Sequence, residues 1–143
     1  MRELHPWDLS AEAAVRLQRR LARQLVLRPS GRQPELVAGA DAAYEGDRVW
    51  AAAVLMRLPE LEVVEEAVAC QPVRFPYVPG LLSFREGPAL LAALQSLSQR
   101  PQAVLFDGQG IAHPRGLGIA AHLGLWLDLP SAGCAKSRLW GHY

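Results

Sequence analysis

The chain has 143 residues, 50% of them hydrophobic and 20% charged, with a formal net charge of +1. That is one domain's length, too apolar and too weakly charged for a disordered chain, and long enough to bury a core. No apolar run approaches the roughly 18 residues of a membrane helix, no signal peptide is visible, and two distant cysteines, Cys70 and Cys134, make neither a disulfide framework nor a metal cluster. A reducing cytoplasm is the expected compartment.

The spacing of Ala14, Leu17, Leu21 and Leu25 predicts a helix over 8–27. Ser10 is placed to cap it, with Glu12 in the first turn, where a negative charge suits the helix dipole. Arg16, Arg19, Arg20 and Arg23 lie largely on other faces. Of the 15 Lys and Arg residues only Lys136 is lysine. Arginine suits phosphate contact, but a composition bias explains the same excess, and a solvated face is the ordinary fate of such a run. Pro29, Gly31 and Pro34 then break the helix.

Strands are predicted over 36–43, 48–58 and 61–70, separated by the turn signals Glu45-Gly46-Asp47 and Pro59-Glu60. Residues 71–82 are irregular. A helix follows over 84–97, with Ser83 and Glu86 as a capping box and Leu90, Leu94 and Leu97 as its apolar stripe. A short strand over 103–106 ends at Asp107. A glycine-rich stretch leads to a short helix over 117–127 and a last strand over 130–135. Three antiparallel strands followed by alternating helices and strands predict a mixed α/β sheet with helices on its faces. Right-handed crossovers place the 103–106 strand parallel to the first. Residues 1–143 are expected to form a single domain.

Asp41 and Asp107 each sit near the end of an otherwise apolar strand, where a carboxylate is costly unless paired, hydrogen-bonded or bound to a metal. If those strands are parallel neighbours, both carboxylates emerge at one sheet edge, where ligands bind in open α/β sheets. Glu86, on the intervening helix, can point toward them. Three such oxygens suit Mg²⁺ or Mn²⁺. Each acid also has a plain structural reading: a strand-end carboxylate, a cap, and the first half of an Asp-Gly turn. His5, His122 and His142 show no ligand-like spacing with cysteine, so zinc is not expected.

Two loops carry more information. In FDGQGIAHPRGLG (106–118) four glycines allow close backbone approach, and His113 and Arg115 bracket Pro114, an arrangement able to grip a phosphate. In PYVPGLLSFREGP (76–88) Pro76 and Pro79 stiffen the chain around Tyr77, which suits an aromatic wedge between bases or, equally, a lid on the core.

Together, VAGADAAY (37–44), PYVPGLLSFREGP (76–88), FDGQGIAHPRGLGIAAHLG (106–124) and AGCAKSRLWG (132–141) resemble the endonuclease V family. Its members are metal-dependent nucleases acting at deaminated purines, chiefly inosine. The resemblance implies a ribonuclease H-like fold and DNA repair. It makes Asp41, Glu86 and Asp107 the catalytic acids, with Asp41 and Asp107 binding Mg²⁺ directly and Glu86 orienting water or a second ion. Mn²⁺ is the expected substitute. Tyr77, with Pro79, belongs to the strand-separating wedge. Gly80, Leu82, Gly108, Ile119 and Leu139 match the pocket for the extruded base. His113, Arg115 and Lys136 become active-site or phosphate-facing groups. The implied reaction nicks the second phosphodiester 3′ to inosine in single- or double-stranded DNA, with RNA as a further substrate. Family members continue past the position of Tyr143 with further elements and a late histidine, so a C-terminally shortened domain is expected. An inosine-binding form without catalysis and another ribonuclease H-like repair nuclease are the alternatives.

Overall fold

The computed structural model describes residues 1–142. Eight elements follow in chain order: α1 (Ala11–Ala22), β1 (Leu36–Glu45), β2 (Arg48–Arg57), β3 (Glu62–Pro72), α2 (Leu82–Ser96), β4 (Ala103–Asp107), α3 (Ile119–Leu127) and β5 (Ser131–Cys134). The strands form one sheet in the order β3-β2-β1-β4-β5. The β1–β2 and β2–β3 pairs are antiparallel, while β1–β4 and β4–β5 are parallel. This is the mixed sheet that the element order predicts, as expected of the ribonuclease H-like fold that the resemblance implies.

Strand alternation decides which residues meet the helices. Ala38 and Ala40 of β1, Val49, Ala51, Ala53 and Leu55 of β2, and Val104 and Phe106 of β4 are buried in a core with α2 and α3. The residues between them point to the opposite face, where Trp50, Val68 and Leu105 are exposed. A second cluster joins Ala14, Leu17 and Leu21 of α1 to Phe75, Leu81, Phe84, Leu117 and Ala121. Among the described residues no helix is long and apolar enough to cross a membrane.

Two helix boundaries differ from the sequence reading. Helix α1 starts as expected, with Ser10 Oγ accepting from the Ala13 amide, but ends at Ala22. Gln24 and Leu25 instead turn back on Leu21 and Ala22, and Val26 and Leu27 are exposed. Leu25 continues the apolar period, but Pro29 lies ahead and nothing large packs around Val26 and Leu27. Helix α2 starts at Leu82, and its N-cap, Leu81, makes no side-chain capping bond. Ser83 forms no capping box because its hydroxyl pairs with His122 Nδ1 at 2.8 Å.

That bond belongs to a buried chain that ties the N-terminal segment to α2 and α3. His5 Nδ1 lies 2.8 Å from the Pro6 carbonyl, which only accepts, so Nδ1 carries the proton. His5 Nε2 therefore accepts, from His122 Nε2 at 2.8 Å and from the Trp126 indole N–H at 3.1 Å. His122 Nδ1 is left to accept from Ser83. Every partner is satisfied with both imidazoles neutral. Burial, above all, lowers the proton affinity of both, holding His122 at about 3.

Candidate functional site

The parallel β1–β4 pairing decides where the acids stand. Ala40 pairs with Phe106, so Asp41 and Asp107 follow side by side where the parallel pairing stops. Asp107 is the last residue of β4, whereas Asp41, expected near a strand end, lies within β1, which runs on to Glu45 against β2. Both line a cleft of about 540 Å³ with Gly39, Leu105, Cys134 and Lys136. Asp41 Oδ1 accepts from the Ala42 amide at 2.7 Å. Asp107 Oδ2 pairs with Lys136 Nζ at 2.8 Å. That bond, above all, raises the ammonium's proton affinity, and the charges of Asp107 and Asp41 add to it. Lys136, just past β5, thus belongs electrostatically to both acids.

Glu86 comes from the helix side of the sheet. It lies in the second turn of α2 and is buried. Tyr44, three residues beyond Asp41 on β1, donates its hydroxyl to Glu86 Oε1 at 2.8 Å. The Arg85 guanidinium covers the Tyr44 ring at 4.9 Å from its centroid. Burial, above all, pushes the Glu86 carboxyl above the usual carboxylate range. The Tyr44 bond opposes this, the Asp41 charge adds to it, and Arg85 and Asp107 contribute smaller opposing and reinforcing effects. Glu86 therefore senses both aspartates across the sheet, and each of the three carboxyls is engaged with a protein partner. As the side chains stand, no three His, Cys, Asp or Glu among the described residues form a ready metal-holding group. The donor set, oxygen only and anionic, nevertheless suits a hard divalent cation rather than zinc or copper.

A second group assembles around the Tyr77 loop. Val78, Pro79, Gly80 and Leu81 make a turn closed by the Leu81 amide on the Val78 carbonyl at 2.9 Å. Pro79 in the second position and Gly80 at φ +82° suit a type II turn, whose third residue requires positive φ. Tyr77, just ahead of it, is 73% exposed. Its ring therefore stands in solvent rather than covering the core.

The glycine-rich segment closes against the start of α3. The Gly118 amide donates to the Gly110 carbonyl at 2.8 Å, and the Ala120 amide to the Gln109 carbonyl at 3.0 Å. A methyl at Gly118 would collide with the Gln109 carbonyl, so this approach demands glycine. Gly80, Leu82, His113, Ile119 and Leu139 line a small cleft of about 50 Å³ together with Gln18, Ser83, Gln109, Leu117 and Gly118. Gly108 stands against Ile119. Arg115 joins the group through the Gly80 carbonyl, at 3.0 Å. Pro79 is on the adjoining turn and Tyr77 just ahead of it, and neither lines the cleft.

The sequence-predicted residues thus gather in two neighbouring sets, the acids with Lys136 and the loop group. Two residues that sequence reasoning missed join them. Tyr44 fell just past the predicted strand over 36–43, and Gln18 occupied one polar position beside the apolar stripe of a helix. Neither carries a local signal, because their partners lie 42 or more residues away.

A model of the endonuclease V family matches residues 19–143. Endonuclease V of Alkalilimnicola ehrlichii is 56% identical over 146 residues, covering 100% of this chain and 64% of that protein. The crystal structure of endonuclease V from Streptomyces avermitilis superposes with a TM-score of 0.87 at 45% identity, over 92% of this chain and 59% of that one. An endonuclease V from Ciona intestinalis, crystallised with a 23-mer DNA containing an inosine followed by a ribo-adenosine, gives a TM-score of 0.80 at 26% identity. It covers 90% of this chain and 59% of that one. The chain thus spans under two thirds of the length of these relatives.

Proposed function

The chain belongs to the endonuclease V family, and on that premise we propose that it is a Mg²⁺-dependent phosphodiester hydrolase. Its substrate is inosine-containing nucleic acid, DNA by preference, cut at the second phosphodiester 3′ to the altered base. One observation carries this reading: a cluster of three carboxyls and one ammonium where the β1–β4 pairing stops, in the same chain as a rigid turn that presents an exposed tyrosine.

Asp41 and Asp107 would hold the cation, which suits their oxygen donors, with Glu86 beside them. Bound there, Mg²⁺ supplies Lewis acidity to water and to the phosphodiester oxygens. The chain's own groups do the rest. The Tyr44 hydroxyl fixes one Glu86 oxygen and leaves the other for a water or second ion. The Lys136 side chain, 86% exposed, is free to swing between Asp107 and the phosphate and to neutralise the charge that builds up there. Tyr77 enters the base stack as a wedge. The extruded base is read by backbone groups near Gly80, Gly108 and Ile119, with Leu82 and Leu139 on the apolar walls. His113 and Arg115 brace this turn through the Gly80 carbonyl, and His113, buried with both ring nitrogens engaged, supports the loop rather than facing the phosphate as the resemblance implied. A cleft of about 50 Å³ holds only a few waters, so the base enters by displacing Leu139, which is 47% exposed.

The test is cleavage of a labelled duplex carrying one deoxyinosine, with Mg²⁺ or Mn²⁺, using Asp107→Ala as control. Wild type should give one mapped nick, and the variant or a chelator should remove it. Equal nicking by both proteins refutes the assigned site. Inosine-selective binding with no cutting in either metal replaces the nuclease reading by a binding one.

A further inference from the structure

We infer that Gln18 is a positioning residue that locks the Tyr77 turn to the glycine-rich segment and so sets how sharply inosine is told from an ordinary purine. The inference deepens the endonuclease reading and rests on it.

Gln18 is 1% exposed in the middle of α1. A buried glutamine is usually satisfied by whatever lies nearest. Here every partner is remote in sequence and belongs to one of the two loops. Its Nε2 donates to the Gly80 carbonyl at 2.8 Å and to the Leu117 carbonyl at 3.2 Å. Its Oε1 accepts from Arg115 Nε. One side chain thus joins the helix, the turn behind Tyr77, and two points of the glycine-rich segment.

The Gly80 carbonyl is the common anchor. Besides Gln18 it accepts from His113 Nε2 at 2.9 Å and from Arg115 Nη2 at 3.0 Å. The His113 tautomer is fixed from the other side, since its Nδ1 accepts from the Arg115 amide at 3.1 Å. Three donors converge on an oxygen with two lone pairs, at the one residue of the turn with positive φ. An amphipathic helix needs no such arrangement to pack. It immobilises the base of the turn while Tyr77, three residues earlier, remains in solvent. A wedge that must part stacked bases works only if its support does not yield, because ordering it on binding would consume affinity. Gln18 also lines the small cleft with Gly80, His113 and Leu117, so wedge and cleft are held in one register by the same amide.

Gln18→Glu keeps the acceptor for Arg115 but turns the donor facing Gly80 and Leu117 into an acceptor. Gln18→Leu removes both. Binding of duplexes with inosine or guanine at one position is measured by anisotropy without divalent metal. A neighbouring 2-aminopurine reports base unstacking. Both variants should lose about tenfold in the inosine-to-guanine binding ratio, the size expected when one buried hydrogen bond is removed. The 2-aminopurine signal should fall with it, while binding to the guanine duplex stays unchanged. In a Tyr77→Ala background Gln18→Glu should add little further loss, because both act through one turn. A retained ratio in Gln18→Glu, or full additivity with Tyr77→Ala, overturns the inference. If Gln18→Leu does not fold, Gln18→Glu decides. A wild type that binds inosine and guanine duplexes equally overturns the endonuclease reading, and this inference with it.

Discussion

Replacing His122 by glutamine should flatten the acid side of the stability profile. In the folded chain His122 is held at about 3 against an ordinary value of 6.5, with burial the chief cause and the neighbouring His5 a smaller one. Between those values the unfolded chain binds a proton that the folded chain refuses. The stability this contributes is complete above about pH 6.5 and drains away as pH falls toward 3. From pH 6.5 to about pH 5 the loss is roughly 2 kcal/mol, at 1.36 kcal/mol per unit. Geometry gives the reason. His5 Nε2 already accepts two N–H donors and His122 Nδ1 faces the Ser83 hydroxyl, so an added proton on either ring meets another donor or evicts one. Arg20 adds a like charge near His5. Urea unfolding of wild type and His122→Gln at about pH 7.5 and about pH 5 isolates the effect, because the carboxylates titrate alike in both. Wild type should lose roughly 2 kcal/mol more than the variant over that interval. Equal losses would refute the neutral-imidazole assignment.

Gly118→Ala should lower the urea midpoint by roughly 1–3 kcal/mol of stability, since the new methyl presses on the Gln109 carbonyl rather than on a side chain that can turn away; an unchanged midpoint would contradict the close approach described. On α1, Arg16, Arg19, Arg20 and Arg23 fall at i, i+3, i+4 and i+7, one exposed stripe opposite the buried Ala14, Leu17 and Leu21. If this stripe meets phosphate, Arg16→Ala/Arg20→Ala should reduce the slope of log K against log salt by about 0.9 for each duplex phosphate that is no longer neutralised. An unchanged slope would leave the stripe as a solvated face.

What the sequence disclosed depended on range. The sheet was legible because alternation is local: Val49, Ala51, Ala53 and Leu55 are buried on every second position. Asp41 and Asp107 stood out because a carboxylate in an otherwise apolar strand is conspicuous, although β1 proves to run on past Asp41 to Glu45. The Ser10 cap was legible for the same reason, its partner being three residues away. Ser83 carries a similar local signature and was misread, because His122, 39 residues on, claims its hydroxyl. Gln18 and Tyr44 escaped notice for that reason too. A polar residue on a helix and a tyrosine beside a turn are ordinary until the fold brings Gly80 and Glu86 beside them.

Crystals soaked in Mn²⁺ test the central claim most directly, because the anomalous signal locates the ion without reference to activity. The account predicts a peak coordinated by Asp41 and Asp107 with Glu86 facing it, abolished in Asp107→Asn. A peak elsewhere, or none while Asp107 keeps its pairing with Lys136, would contradict it.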